Sequence, residues 1–507
     1  MKTNIIPKVF LSLASFALLV SCTDLDEKLY DKVTSDDYGK TEAEIKTITG
    51  GAYATLRGFN DANAGGTICY PTCEFVFFLN ECVSDDAVIP TRGTDWYDGG
   101  RYQQLQEHTW DANNITILSA WKYCFQGIAT INSIIYQVDK SELTDAGKDK
   151  AKAELRGLRA YYYTLLIDWF GDVPISTNFT DTELPKKSPR ADVFKFIETE
   201  LTEIMDLLPS GVRYGGFTQN VANSLLARIY LNAEVYTGTP RWQDCINACE
   251  KVTGYMLEPD YFESFKTENE KSREIIFAIP YDHKEGTVGN YLASMTYHYN
   301  QKYAFSATGG YQWCGNGISA QPGLYSSFDE ADVRRRSLLI GEQINLATGT
   351  VIMMDNGNPL IYTEEIENYK NALQNEGARL HKYEARGDDQ WERDNDLVLI
   401  RYAEILMMKA EANFRLGYIA NALTDINQIR NRAGLGNLDN LTLEDLDKEW
   451  RHEFVFEGNR RTVNIRFGTF FKPWWNKGET AAYRALYPIP ANMLLLNPNL
   501  EQNPNYN

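Results

Sequence analysis

The chain contains long segments whose apolar residues recur at helical spacing, and these segments come in pairs. One segment runs from Leu397 to Leu416 and is followed by Gly417. A second segment begins at once and ends at Gly434; its apolar residues are Ile419, Ala422, Ile426, Ile429 and Ala433. Apolar residues three and four positions apart share one face of an α-helix. The pattern therefore predicts two helices that pack across a tight turn.

A second pair of this kind lies upstream. The segment from Gln219 to Tyr236 is apolar at helical spacing, and a short turn leads from it into a segment from Trp242 to Thr253. Such a pair resembles a tetratricopeptide unit, which buries its apolar face only against a stacked neighbour. We therefore expect several helix pairs. Further helices are predicted at Asn114 to Val138, Asp149 to Phe170 and Ala191 to Leu208.

The helical pattern loosens between residues 255 and 395. Gly, Asn and Tyr are frequent there, and short β-like runs such as Glu274 to Tyr281 occur. This composition predicts a loop-rich insertion with little β-structure on a mostly all-α scaffold. Loops held by a rigid scaffold are where binding residues concentrate.

The N-terminus has the layout of a bacterial lipoprotein signal. Lys2 and Lys8 precede an apolar run from Val9 to Val20, and Leu-Val-Ser-Cys ends at Cys22. A run of about twelve apolar residues is too short to span a bilayer, which needs roughly 20. We predict a signal peptide over 1–21, lipidation at Cys22 and an acidic tether over 22–40. An ordinary signal peptide with a chance cysteine is the alternative.

Charge and aromatic content narrow the ligand classes. The net charge of −19 argues against nucleic acid and anionic lipid surfaces as partners. The chain has 31 Tyr, 23 Phe and 10 Trp residues. Aromatic rings offer flat apolar faces that suit sugar rings, but a large helical core also uses many tyrosines. Composition leaves both interpretations open.

The cysteines favour neither a complete disulfide framework nor a zinc site. With Cys22 set aside, seven of the eight cysteines remain, and an odd number cannot all pair. Cys245 and Cys249 have helical spacing, but the five histidines are scattered. We expect these two cysteines to be buried free thiols. A bridge between Cys69 and Cys73 stays open.

Motifs of common enzymes are absent. His452-Glu453 is followed by Phe456 where a metalloprotease helix has its second histidine. No phosphate-binding loop, nucleophile elbow or dinucleotide fingerprint occurs. Three acids at helical spacing form either an acid/base cluster or a charged helix face: Glu449, Glu453 and Glu457, next to Arg451, Arg460 and Arg461. The face, whose acids would pair with these three arginines, is the preferred interpretation. We predict no catalytic residue, cofactor or metal.

Five segments together resemble the SusD/RagB family of Bacteroidetes surface lipoproteins. They are ELRGLRAYYYTLLIDWFGDVPI from Glu154, TQNVANSLLARIYLNAEVY from Thr218, the segment Asp396 to Leu435, EWRHEFVFEGNRRTVNIRFG from Glu449, and Tyr487 to Tyr506. Their order behind the lipoprotein signal makes the resemblance specific, and it covers essentially the whole mature chain. One departure is the run Arg461-Thr462-Val463-Asn464, where family members often have an aromatic residue and an aspartate.

The resemblance implies a single SusD-like α-helical domain over 41–507. Its helix pairs would lie mainly within 114–254 and 397–434, with the variable part at about 255–395. Family members bind glycans, or in some cases peptides, and cap a SusC-like TonB-dependent transporter without performing chemistry. They are lipid-anchored to the outer membrane and face outward. A surface glycosidase and a scaffold that binds only protein are the competing interpretations.

The resemblance also implies an aromatic platform in loops. One predicted cluster is Asp95, Trp96, Tyr97, Asp98 and Arg101; the other is Tyr297, Tyr299, Asn300, Tyr311 and Trp313, with Trp391 as a weaker candidate. The rings would stack on sugars while the polar side chains bond their hydroxyls; alternatively, the rings pack under their own loops. Six tryptophans are assigned to the core: Trp110, Trp121, Trp169, Trp450, Trp474 and Trp475.

Overall fold

A computed structural model describes residues 39–61, 67–71, 76–285, 288–305, 314–386 and 393–506. The predicted signal peptide, Cys22 and most of the tether lie outside these ranges. So do Cys73, Tyr311, Trp313 and Trp391. Within the described ranges, no helix is both long enough and apolar enough to cross a bilayer.

Most helices of the described part lie on either side of the loop-rich part. Those before the loop-rich part are α1 (Glu42–Ala54), α2 (Arg101–Glu107), α3 (Ile115–Lys140), α4 (Asp145–Trp169), α5 (Arg190–Glu203), α6 (Gln219–Leu231), α7 (Ala233–Thr237) and α8 (Trp242–Cys249). The remaining helices are α9 (Leu292–Thr296), α10 (Lys302–Phe305), α11 (Leu324–Ser327), α12 (Tyr402–Arg415), α13 (Ile419–Arg432), α14 (Leu443–Glu453), α15 (Arg460–Phe467) and α16 (Ala491–Leu496).

The strands are short and pair two by two. They are β1 (Phe59–Asp61), β2 (Thr67–Cys69), β3 (Ala87–Val88), β4 (Ile275–Ile279), β5 (Ser319–Ala320), β6 (Leu338–Leu339), β7 (Gly341–Glu342), β8 (Ile361–Tyr362), β9 (Arg379–Leu380) and β10 (Leu397–Arg401). The antiparallel pairs are β1–β2, β3–β5, β4–β10, β6–β9 and β7–β8. The predicted mostly helical class with a loop-rich, β-poor insertion is confirmed.

Helix starts are set by local side chains. The Asn114 carboxamide oxygen accepts the N–H of Thr116 and caps α3, and the Thr144 hydroxyl caps α4 in the same way. Each cap satisfies a backbone donor that the first helical turn leaves unpaired. The predicted helices at 114–138 and 149–170 are therefore present, with ends shifted by a few residues.

Helix α4 (Asp145–Trp169) packs closely against α3 and against the residue Phe217, and each contact needs a glycine. A Cβ on Gly127 of α3 would lie 2.3 Å from the Tyr162 ring of α4. A Cβ on Gly157 of α4 would lie 2.2 Å from the Phe217 ring, just before α6. Both distances are impossible for real atoms, so these two positions require glycine for close packing. The helix pair α12–α13 forms as predicted.

One element was predicted as the wrong type. The sequence pattern predicts that Leu397–Arg401 begin a helix, but these residues form strand β10, which pairs with β4. Four of its five residues are buried. A continuous apolar run has no distinguishing period, so a buried strand and a buried helix look alike in sequence. The helix α12 starts only at Tyr402.

Most of the assigned core residues are buried. Four of the six tryptophans assigned to the core are fully buried: Trp110, Trp121, Trp169 and Trp450. Trp474 and Trp475 are partly buried against the core. Cys245 and Cys249 are buried free thiols, as predicted.

The acids of the segment EWRHEFVFE form a buried ion-pair network and not a solvated helix face. Glu453 is fully buried and contacts the guanidinium groups of Arg334, Arg401 and Arg432. Burial opposes its ionisation, but the three guanidinium groups outweigh burial and lower the pKa of Glu453 to about 2. The network joins α13 and α14 to strand β10 and the loop-rich part.

The predicted partners of these acids were wrong. Glu449 pairs with Arg334 and Arg430, and Glu457 pairs with Arg401 and Lys382. The arginines next to them in sequence have other partners: Arg451 and Arg460 contact Asp85, and Arg461 contacts Asp168. Spacing along one helix does not show which distant cations the fold brings to it.

Candidate ligand-binding site

Residues from both predicted aromatic clusters line one cavity. The cavity has a volume of about 390 Å³. It is lined by Asp95, Trp96, Asp98, Arg101, Tyr102, Met295, Tyr299 and Gly315. The first five residues come from the loop before α2 and from its first turn, and the others come from the loop-rich part. The fold therefore places the first cluster beside Tyr299.

A tight turn sets the position of Trp96. The N–H of Asp95 donates to the carbonyl of Arg92 (3.1 Å), and the N–H of Arg92 donates back (3.0 Å). Trp96 then adopts a φ of +62°, a left-handed backbone that is uncommon for a bulky residue. Strained positions of this kind cluster at ligand sites. The turn aims the indole toward the segment that contains Gly315.

A buried arginine fastens this turn to the loop-rich part. The Arg92 guanidinium donates to the carbonyls of Asn316 (2.9 Å) and Glu376 (2.8 Å) and to the hydroxyl of Ser319 (2.8 Å). Burial and the nearby Arg379 lower the pKa of Arg92. The oxygens that accept these hydrogen bonds are uncharged, so hydrogen bonds and not an ion pair hold the guanidinium.

The Trp96 indole is wedged against glycine backbone. Its Nε1–H donates to the carbonyl of Gly315 (2.6 Å). A Cβ on Gly317 would lie 2.4 Å from the indole, so only glycine fits beneath the ring. The Tyr102 ring lies 5.6 Å away, centroid to centroid. The indole is thus held rigidly while it lines the cavity.

Polar groups surround the aromatic wall. The Tyr299 hydroxyl donates a hydrogen bond to the Asp95 carboxylate. Burial and this hydrogen bond raise the pKa of Tyr299. At the rim, Arg101 lies 3.5 Å from Asp98 and 4.6 Å above the Tyr102 ring. The cavity thus combines apolar rings with a carboxylate, a phenol and a guanidinium.

Three predicted residues do not line this cavity. Tyr297 is fully buried, and its hydroxyl is hydrogen-bonded to His381 Nδ1 (2.7 Å), because the chain turns into a 3₁₀ helix after His298. Asn300 donates to the carbonyl of Met353 and to Asp355. Tyr97 is 53% exposed and lies outside the cavity lining.

Sequence reasoning missed three lining residues. Tyr102 follows the predicted residue Arg101 directly, and no local signal in the sequence marks Met295 or Gly315. Their position follows from backbone hydrogen bonds that bring residues 315–318 onto α9.

One group in the described part of the chain has metal-ligand spacing. The potential ligand atoms of Asp282, His283 and Asp394 lie within 4.8 Å of one another. His283 Nδ1 is 2.5 Å from the Asp394 carboxylate, and the backbone N–H of His283 donates to the same group. An exposed His–Asp pair accounts for this grouping without a metal.

Two family models match most of the chain. The model described as "Starch-binding associating with outer membrane" matches residues 86–231. The model described as "SusD family" matches residues 273–506. Starch-binding protein SusD of Bacteroides thetaiotaomicron is 28% identical in an alignment that covers 100% of both chains. SusD-like protein P2 of Formosa agariphila is 24% identical over 96% of this chain and 97% of its own.

Solved structures have the same fold. Surface glycan-binding protein A from Bacteroides thetaiotaomicron, in complex with laminarihexaose, has a TM-score of 0.73 at 21% identity and covers 92% of this chain and 100% of its own. A SusD superfamily protein from Parabacteroides distasonis has a TM-score of 0.73 at 19% identity, with coverages of 94% and 100%. The helical scaffold, the two family matches and the full-length relative agree, and the chain belongs to the SusD family.

Proposed function

We propose that this protein binds oligo- or polysaccharides at the cell surface and captures them at the cavity of Trp96 and Tyr299. The observation that supports the proposal is the rigidly held Trp96 indole beside the Tyr299–Asp95 pair. An indole face packs against the C–H groups of a sugar ring. The adjacent carboxylate and guanidinium offer an acceptor and donors for sugar hydroxyls.

The names of similar proteins agree with a glycan ligand. The full-length relative is called a starch-binding protein, and one structural neighbour holds laminarihexaose. Starch and laminarin differ in linkage, so these names do not identify the glycan of this protein. Oligosaccharides of both types are therefore used as probes in the test below. In the wider site we include Tyr97, Asn300, Tyr311, Trp313 and Trp391 as candidates that extend the platform.

We further propose that the protein acts without catalysis as the lid of a transporter. A signal peptide over 1–21 would be removed, Cys22 would carry the lipid, and the tether over 22–40 would connect it to one domain over 41–507. This anchor would hold the domain on the outward side of the outer membrane beside a SusC-like TonB-dependent transporter. Tethering raises the effective concentration of the binding domain at the transporter.

The test uses the mature protein without its lipid. Calorimetry with maltohexaose, laminarihexaose and a set of peptides compares wild type with Trp96→Ala and Trp313→Ala. Tyr418→Ala is the matched control, since this tyrosine is 52% exposed on the helical half. Unchanged glycan affinity in both tryptophan variants would refute the site. If the protein binds peptides and no glycan, its ligands are peptides and not saccharides.

A further inference from the structure

A second and larger cavity lies in the loop-rich part. Its volume is about 840 Å³. It shares no lining residue with the cavity of Trp96. The two are linked through one short segment, because Tyr299 lines the first cavity while Ala304 and Phe305 line the second. This segment consists of a 3₁₀ turn followed by α10.

Two adjacent arginines line this cavity, and the guanidinium group of each lies over an aromatic ring. The Arg335 guanidinium lies 4.2 Å from the centroid of the Tyr325 ring, and the Arg336 guanidinium lies 5.0 Å from that of Phe262. All four residues line the cavity. An aromatic face holds a guanidinium flat, which fixes its plane and leaves the N–H groups at its edge available.

Neither arginine has a partner of opposite charge within the described ranges. No carboxylate lies within 4.0 Å of either guanidinium, and neither forms a side-chain hydrogen bond there. The Nε of Arg335 is itself buried without an acceptor. Their neighbour Arg334 shows the contrast, since it contacts Asp332, Glu449 and Glu453. Arg92, Arg190 and Arg484 also lack a carboxylate there, but they donate to backbone carbonyls. Arg335 and Arg336 differ in having neither a carboxylate nor a hydrogen-bond acceptor in the described ranges.

Most other charges around the cavity are already neutralised by pairing. The pairs are Lys266–Glu263, Lys382–Glu457, Glu384–Arg386 and Asp332–Arg334. Two further acids line the cavity: Asp260 accepts the N–H of Phe262 (3.1 Å), and Glu330 is exposed. The cations available to a ligand are therefore Arg335 and Arg336.

We propose that this cavity binds the anionic group of an acidic saccharide, either the carboxylate of a uronic acid or a sulfate ester. The planar fork of arginine matches such oxyanions with two parallel hydrogen bonds. Apolar walls such as Phe305, Leu339 and Leu346 suit the carbon face of the sugar. The proposal rests on the proposed glycan function, and the short link to the first cavity favours a saccharide over an acidic peptide.

The experiment titrates the delipidated mature protein with trigalacturonate, its methyl ester, a sulfated galactan oligosaccharide, an acidic peptide, and neutral laminarihexaose and maltohexaose. The double variant Arg335→Gln/Arg336→Gln should bind the anionic saccharides at least about tenfold more weakly, since each charge-assisted bond contributes strongly. Added salt should weaken the wild-type complex. Neutral saccharides should bind the double variant as they bind wild type.

Arg213→Gln is the matched control, because Arg213 is a surface arginine whose partner is Glu154, away from both cavities. Thermal unfolding checks that the double variant is folded. Wild type that binds no anionic saccharide, binds the methyl ester equally well, or binds only the acidic peptide would overturn the proposal. Binding of the neutral saccharides to Trp96→Ala tests the first cavity separately. Failure of the first site would therefore appear with the neutral saccharides, and failure of the second with the anionic ones.

Discussion

The hydroxyl of Tyr299 donates a hydrogen bond to the carboxylate of Asp95, from 204 positions away in the sequence. This bond joins the loop before α2 to the loop-rich part at the wall of the candidate cavity. Through this bond, the phenol and the carboxylate orient each other at the site.

Tyr299→Phe should weaken glycan binding about fivefold, which corresponds to one hydrogen bond of about 1 kcal/mol. The ring stays, while Asp95 loses the donor that orients it. Calorimetry measures the effect. Tyr303→Phe serves as the control, because Tyr303 lies in the same segment but outside the cavity. Equal affinities for Tyr299→Phe and wild type would show that the pair does not orient the ligand.

Gly317→Ala should displace the Trp96 indole and weaken glycan binding about tenfold or more, since a new Cβ at 2.4 Å from the ring cannot be accommodated in place. A crystal structure of the variant reports the ring position, and calorimetry reports the affinity. Gly436→Ala is the control, because a Cβ there has nothing within 4 Å. An unmoved indole in the variant would contradict the wedge described above.

Glu453→Gln should lower the free energy of unfolding by roughly 3–5 kcal/mol, because it leaves three buried guanidinium groups with less countercharge. Urea unfolding followed by circular dichroism measures this loss. Glu444→Gln, in an exposed position of the same helix α14, should change it by less than about 0.5 kcal/mol. Similar losses in both variants would rule out the network as a main source of stability.

The same network predicts instability in acid. The pKa of Glu453 is about 2 in the folded protein against 4.5 without its surroundings. A lowered carboxyl pKa stabilises the fold above the unfolded value, and this stabilisation is lost as pH falls from about 4.5 through 2. The loss is on the order of 3 kcal/mol. Urea midpoints between pH 7 and pH 2.5 measure it, and Glu453→Gln should flatten the dependence.

The local pattern of apolar residues is sufficient to predict much of the helical scaffold. The helices α3, α4, α12 and α13 lie close to where apolar spacing predicts them, because a helix is stabilised by contacts three and four residues apart and by its own caps. The strand β10 was predicted as helix, because its partner β4 is more than a hundred positions away and leaves no local mark.

The aromatic clusters, too, could be predicted only in part from the sequence. Trp96 and Tyr299 were both predicted as binding residues, and the fold places them at one cavity. Tyr297, two positions from Tyr299, is buried instead. Which tyrosine faces the cavity depends on a backbone turn after His298, and spacing does not predict that turn.

By itself, the sequence determined the mostly helical class, the membership of the SusD family and the absence of familiar catalytic motifs. Only the tertiary structure decided which cations pair with Glu453, which aromatic rings line the cavity of Trp96, and that Arg335 and Arg336 have no acceptor in the described ranges. The reason is physical: helix formation depends on neighbours a few residues away, whereas ion pairs and cavities depend on segments that meet only when the chain has folded.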